Sequence, residues 1–188
     1  MRRWRVTSAA TADAVAEERS AGWVFWRDNA EGLGGWNYVN RLSLTTLQVT
    51  GMGFFGLYGS TFALTTTLTL ATVVNCVGIG FQRGAHNNWQ LVKNDGTGAP
   101  TLTDLRASFP VSSTSNVLTL TIAAAPNGAD IGVRVVEEVS GEVVEFTIVA
   151  TDMPTATQLL SPRNYMNNGA AAAAVAYDCS GVDVETDY

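Results

Sequence analysis

Val117-Leu-Thr-Leu-Thr-Ile-Ala, Ile131-Gly-Val-Arg-Val-Val-Glu-Glu-Val and Val144-Glu-Phe-Thr-Ile-Val are the segments that decide the fold. In each one the apolar residues fall on alternate positions: Leu118, Leu120 and Ile122, then Ile131, Val133 and Val135, then Val144, Phe146 and Ile148. A repeat of two places one face of a strand in a core and the other in solvent. Pro126-Asn-Gly-Ala-Asp and Ser140-Gly-Glu lie between the segments and supply turn residues for two antiparallel connections.

The same pattern extends outward. Asn88-Trp-Gln-Leu-Val-Lys runs into Asn94-Asp-Gly-Thr-Gly, where Asp-Gly is a strong hairpin signal. Trp36, Tyr38, Leu42 and Leu44 share one strand face, with Asn37, Arg41 and Ser43 on the other. Trp23-Val-Phe-Trp reads as a short apolar strand, and Asp28 to Gly35 as a loop. Leu68 to Phe81 reads as a helical turn leading into a strand. The alanine run Ala170 to Ala174 follows Asn-Gly and is short, so it reads as a closely packed strand. Val182 to Tyr188 reads as the last strand. Short strands with turns every 8–12 residues or so indicate an all-β sandwich or barrel. Residues 21–188 are expected to form one antiparallel domain. Residues 1–20, least globular in composition, are expected to form an arm or attachment segment outside the sandwich, with Ala12 to Arg19 either a short helix or extended.

The chain has 188 residues, 15% of them charged, against about 25% in a typical domain. Its net charge of −6 disfavours binding to nucleic acid through a general electrostatic field. A single histidine, His86, excludes multi-histidine metal sites and leaves little acid–base machinery near neutral pH. No cofactor is expected. The sparseness of charge is concentrated: no Asp, Glu, Lys or Arg occurs between Arg41 and Arg83. That window could hold a transmembrane helix of ~20 residues. It is broken, however, by Gly51, Gly53, Gly56 and Gly59 and is rich in β-branched threonine. No membrane insertion is expected; strands buried on both faces, or buried between subunits, fit better. Met1-Arg-Arg-Trp-Arg is basic, but no apolar run follows it, so no signal peptide is expected. Cys76 and Cys179 match no metal-binding spacing and read as free buried thiols.

The search for chemistry yields little. A Ser–His–Asp triad would need His86, and no nucleophile elbow is present. Glu137, Glu138, Glu142 and Glu145 gather around one hairpin, where two carboxylates cannot face each other across a cleft as glycoside hydrolysis requires. Asp183, Glu185 and Asp187 alternate on one strand and read as a solvated edge more readily than as a calcium site. Glycine pairs near residues 32–35 and 78–80 lack the lysine of a phosphate loop. These readings predict no enzyme and no metal site. Two polar–aromatic sets remain as candidates for recognising a sugar by stacking and hydrogen bonding: His86, Asn87, Asn88 and Trp89, and Tyr165 with its neighbours Asn164, Asn167 and Asn168. Either could instead be a capped loop or a subunit contact. Arg2, Arg3, Trp4 and Arg5 form a short basic group suited to an acidic partner or to a neighbouring subunit.

Several motifs in order carry a family resemblance. They are Trp26-Arg-Asp-Asn-Ala-Glu-Gly-Leu-Gly-Gly, Val77-Gly-Ile-Gly-Phe, Asn88-Trp-Gln-Leu-Val-Lys-Asn-Asp-Gly, and Leu118-Thr-Leu-Thr-Ile-Ala-Ala-Ala-Pro-Asn-Gly. Leu160-Ser-Pro-Arg-Asn-Tyr-Met-Asn-Asn-Gly and the terminal Val184-Glu-Thr-Asp-Tyr complete the set. Together they resemble a β-sandwich module of tailed-bacteriophage virion proteins: tail fibres, head fibres and minor structural proteins. The resemblance spans residues 7–188. It implies a jelly-roll or concanavalin-like sandwich on the particle surface, commonly a homotrimer, contacting other virion proteins (capsid, portal or tail). It transfers no catalytic residues. Its longer members carry anchoring segments before the module, so the anchor here is expected to be short or supplied by another chain. The implied functions are host attachment through a surface glycan, or a purely structural decoration; a polysaccharide-degrading enzyme is the weaker alternative. The uncharged window is expected to supply much of a trimer interface, because interface cores are depleted in charge.

Overall fold

The computed structural model describes residues 3–20, 25–27, 34–59 and 64–186. Parts of the Trp23–Trp26 strand and the 28–35 loop, together with Arg2 and Asp187, lie outside these residues. Among the described residues, twelve strands form two antiparallel six-stranded sheets. The first sheet runs in the order β1 (Trp4–Thr7), β12 (Ala176–Thr186), β3 (Trp36–Thr46), β8 (Leu118–Ala124), β9 (Asp130–Glu137), β10 (Val143–Val149). The second runs β2 (Val15–Arg19), β11 (Ser161–Asn167), β4 (Met52–Tyr58), β5 (Cys76–Gln82), β6 (Gln90–Asn94), β7 (Thr101–Asp104). The architecture is the expected antiparallel sandwich of jelly-roll, concanavalin-like type.

The meander β8–β9–β10 carries the alternation read from the sequence. Leu120 pairs with Val135, and Val135 with Val144; Ile122 pairs with Val133, and Val133 with Phe146. Cross-strand partners share a face, so these side chains make one inward layer. They meet Phe55, Leu57, Val77, Ile79 and Phe81 of the second sheet in the main core. On β3, Trp36, Tyr38, Leu42 and Leu44 are buried as expected, but so is Asn40, which lies on the same inward face with no exposed surface.

The uncharged window is explained within a single chain. β4 and β5 are buried at six of seven positions each, on both faces. Their inner face joins the main core. Their outer face is roofed by a segment around a single 3-10 turn, Leu70–Thr72. Leu70 and Val73 pack there on Met52, Phe54, Cys76, Val92 and Tyr165 in a second apolar cluster. A Cβ on Gly80 would lie 2.7 Å from Leu70 Cδ1, so a bare backbone at that position lets the roof close. Burial within the single chain therefore accounts for the missing charge of β4 and β5.

Two expectations are corrected. Residues 1–20 are not an arm outside the sandwich, because β1 and β2 are edge strands of the two sheets. Their partners explain why: Arg5 pairs with Asp178 across β1–β12, Glu17 with Arg163 across β2–β11, and Ala16 is buried between the sheets. Ala170–Ala174 is a turn and not a strand. The Asn168 carbonyl accepts from Ala171 N and the Asn168 side chain donates to the Ala173 carbonyl, closing the turn more cheaply than a ladder of methyl groups could. Among the described residues no helix is long and apolar enough to cross a membrane.

Candidate functional site

Of the two polar–aromatic sets, the aromatic members Trp89 and Tyr165 are buried. Trp89 is 2% exposed, and its ring packs at 5.7 Å from Phe55 and at 5.0 Å, edge-on, from Phe81. It is a core aromatic with no face left for a ligand. His86 sits at a turn, where its Nδ1 accepts from Gln82 N at 3.1 Å. Partial burial lowers its pKa, opposed by the charge of Asp104. Asn87 is exposed, and its carbonyl accepts from Val111 N. Asn88 donates to both carboxylate oxygens of Asp104 at 3.1 and 3.2 Å. Tyr165 is buried, its pKa pushed up to about 12 by that burial, and its hydroxyl donates to the Thr65 carbonyl at 2.8 Å. Asn167 Nδ2 donates to the Thr66 and Leu68 carbonyls. The Tyr165–Asn167 pair thus pins the roof segment onto the second sheet.

The open, chemically mixed surface lies instead where β1, at the edge of the first sheet, faces β2, at the edge of the second. Its alternation places Trp4 and Val6 on the inward side and Arg5 on the outward side. Trp4, 41% exposed, stands at the open edge of the sandwich. Its indole Nε1 donates to Glu18 Oε2 of β2 at 3.1 Å, bridging the sheets. Beside it is a cleft of about 260 Å³ lined by Trp4, Glu18, Arg19, Asn164 and Val182, among others. An aromatic face, a carboxylate and a guanidinium converge here, with the buried Asn164 amide behind them. Those are the groups that grip a sugar ring, with apolar contact to one face and hydrogen bonds to its hydroxyls.

A buried polar chain holds this cleft. Cys179 Sγ donates to Asn40 Oδ1 at 3.2 Å, Asn40 Nδ2 to Asn164 Oδ1 at 2.7 Å, and Asn164 Nδ2 to Glu18 Oε2 at 3.2 Å. A thiol at one end can donate and a carboxylate at the other can only accept, so both amides between them have one orientation. Glu18 Oε2 is thereby occupied by Trp4 and Asn164. Burial pushes the Cys179 thiol up to about 11, so it stays protonated and keeps its donor role near neutral pH. Sequence reading missed Asn40. The available signal was an amide at an inward position of an otherwise apolar face, between Tyr38 and Leu42.

On the outward side of the same strands, Asp178 of β12 is 3% exposed. Arg5 holds it in a two-pronged contact at 2.7 and 3.1 Å, and Arg3 Nε approaches it at 3.3 Å. The Arg5 hydrogen bond, above all, draws the Asp178 carboxyl below the usual range. A second cleft, of about 370 Å³, is lined here by Arg3, Arg41, Ser43, Val117, Asp178 and Ser180, among others. The basic N-terminal group of the sequence is thus part of a sheet surface.

The carboxylates Glu137 and Glu138 at the β9–β10 hairpin lie in different settings. Glu138 accepts from Thr119 and lies 3.8 Å from Arg41. Glu137, by contrast, is 3% exposed and caps the turn by accepting from Val139 N and Ser140 N. Asp183 and Glu185 remain on β12, and no group of three or more metal-ligating side chains occurs among the described residues.

No family model and no curated protein matches this chain in sequence. Solved structures do match in shape. Lectin UEA-II complexed with galactose superposes with a TM-score of 0.65 at 11% identity, over 98% of this chain and 86% of the lectin. The CBM2 module of the evolved Dit of Lactobacillus casei BL23 phage J-1 gives 0.55 at 11% identity, over 97% and 76%. Alginate lyase AlgAT5, of polysaccharide lyase family 7, gives 0.53 at 13% identity, over 90% and 68%. At such identities the likeness establishes the fold and nothing finer.

Proposed function

We propose that this chain is a glycan-binding sandwich module displayed on a tailed-phage virion, in a fibre or appendage used for host attachment. The observation that carries the reading is the Trp4 cleft. It presents a half-exposed indole, fixed through Glu18, beside Asn164 and Arg19 at the open edge of the sandwich. The motif resemblance to virion proteins, and the presence of a lectin and a phage module among proteins of the same shape, support it. The module acts by binding and not by catalysis, as a homotrimer held to other virion proteins.

A second reading, structural decoration of the capsid or tail, is favoured by one observation. Edge strand β10 exposes Val143 and Val149 at 39% and 55%, apolar surface suited to a protein contact.

The test is binding of purified protein to intact host cells, with blockage of phage adsorption. Trp4→Ala should weaken cell binding at least tenfold, since truncating an anchoring aromatic typically costs about 2 kcal/mol or more. Trp4→Phe should retain part of it. Binding to stripped particles but not to cells overturns the attachment reading in favour of decoration. Release of reducing ends from a host polysaccharide would establish an enzyme instead.

A further inference from the structure

The cleft beside Trp4 holds an acceptor that the protein leaves open, and it belongs to Glu18. Strand β2 turns its consecutive carboxylates to opposite faces, with Glu18 on the inward side that Ala16 also occupies. Glu17 Oε1 is taken up within the fold, where it accepts from Arg163 and from Leu64 N. Glu18 Oε2 is likewise filled, since it accepts from the Trp4 indole at 3.1 Å and from the Asn164 amide at 3.2 Å. Glu18 Oε1 accepts from no group among the described residues, and it is open to solvent. An ionised carboxylate has about four acceptor positions, two on each oxygen, so both positions of Oε1 remain. Glu18 is partly exposed and lines the cleft with Trp4, Pro162 and Val182. The open oxygen therefore stands beside the apolar wall formed by the other three. Its place is set from behind: the chain from Cys179 through Asn40 and Asn164 ends on Oε2, and the indole meets the same atom from the other sheet. A carboxylate held at one oxygen keeps the other in place before a ligand arrives.

We infer that Glu18 is the ligand-binding acceptor of this cleft, its Oε1 receiving one hydroxyl, or two neighbouring hydroxyls, of a saccharide ring packed on Trp4. The inference rests on the glycan reading and narrows it. The bound unit carries a free hydroxyl at this position, and a unit deoxygenated, O-methylated or acylated there is refused. A site built to bond a hydroxyl discriminates strongly against the analogue without it, because the carboxylate then gives up water and gains no donor in return. Cys179 and Asn40 are positioning residues, acting on the ligand through Asn164 and Glu18.

The test titrates galactose and glucose, each with its monodeoxy and mono-O-methyl analogues, into the full chain while the Trp4 indole N–H is followed by NMR. At least one parent sugar should shift that resonance. Among its analogues, one deoxy sugar and the O-methyl sugar altered at the same position should bind about tenfold more weakly or worse, the loss expected for a hydrogen bond to a charged group. Glu18→Gln supplies the second arm. Its amide oxygen must face the two donors, Trp4 and Asn164, which turns the amide nitrogen to the cleft and replaces an acceptor by a donor without moving the indole. The variant should weaken the parent sugar about tenfold and leave the affinity of that one deoxy analogue unchanged, the signature of direct contact. If Glu18→Gln binds the parent sugar as tightly as the unaltered protein does, or weakens every analogue alike, Glu18 does not touch the ligand and the Trp4 site stands without it. Analogues that all bind as well as their parent overturn the inference in the same way. If neither sugar nor any analogue shifts the indole, the inference and the glycan reading of the cleft fall together.

Discussion

Replacing Asn40 with leucine tests whether the buried amide chain supports the cleft or merely fills space. Leucine is close to asparagine in size and adds apolar surface to a face already lined by Tyr38 and Leu42. If packing were all that mattered, Asn40→Leu would be neutral or stabilising. The structure argues otherwise. The variant removes the 2.7 Å donor to Asn164 Oδ1 and the 3.2 Å acceptor from Cys179, both inside the sandwich. A typical hydrogen bond contributes about 1 kcal/mol net, and a buried group left without a partner costs about 1–3 kcal/mol. Setting the gain of leucine burial against these losses leaves a destabilisation of about 2 kcal/mol. Urea unfolding reads it as a lowered midpoint at unchanged slope. Asn164→Leu alone should cost at least as much, because it also removes the donor to Glu18. The decisive measurement is the double variant. With both amides gone, no polar atom of either is stranded, so the double should be less destabilised than the sum of the singles by about 1–2 kcal/mol. Strict additivity, or an Asn40→Leu protein as stable as the parent, would refute the account of a coupled chain.

Other outcomes follow from the same geometry. Gly80→Val, placing a branched side chain where even a Cβ meets Leu70 at 2.7 Å, should destabilise by about 1–3 kcal/mol through overpacking. Thermal melting checks it, and an unchanged Tm would show that the roof over the second sheet is loose. Leu70→Asp should unfold the single chain, because Leu70 is buried within it. Light scattering combined with circular dichroism distinguishes this from a folded protein that merely loses subunits. Asp178 titrates below its ordinary value, so its pairing with Arg5 and Arg3 is fully present above the unfolded-state pKa of about 3.9 and is lost as pH falls through the lower folded value. Asp178→Asn should therefore flatten the acid limb of the stability profile below about pH 4; an unchanged limb would contradict the pairing. Both cysteines are buried and raised in pKa by burial, so neither should react with a thiol reagent in the native state at pH 7.5, and both should react in denaturant. Rapid native labelling would contradict this.

What the sequence disclosed and what it hid have one physical division. Alternation survives in strands that face solvent on one side, and the β8–β9–β10 meander was legible residue by residue for that reason. β4 and β5 are buried on both faces, so the alternation vanishes there and leaves a charge-free run that mimics a membrane segment or a subunit interface. The candidate site was harder to place, because sequence neighbours suggest function where space does not. Trp89 stands among His86, Asn87 and Asn88 in a loop-like string, yet it points into the core. Trp4 stands in a basic terminal string with the composition of a tail, yet it is fixed across the sandwich by Glu18.

That contrast also explains why the surface proposed for recognition lies at the edge of the sandwich and not in its loops. β1 and β2 each have a single strand partner, so their charged residues pair with that neighbour, Arg5 with Asp178 and Glu17 with Arg163, while Trp4 and Glu18 bridge the gap between the sheets. An edge built from such pairs resists pairing with another chain and also leaves donors and acceptors facing outward. Had β1 been a free arm, Arg3 and Trp4 would sample many positions, and a ligand would have to meet the entropy of fixing them. Locked in register, Trp4 opposite Cys179 and Arg5 opposite Asp178, they present their two chemistries at fixed spacing before any ligand arrives. Shifting that register by one residue should therefore abolish binding at the Trp4 cleft. Inserting a glycine between Arg5 and Val6 would move Arg3, Trp4 and Arg5 to the opposite faces of β1 while leaving Val6 in place. A variant so altered that stays folded and still binds host cells would show that the preorganised edge is not what recognises the ligand.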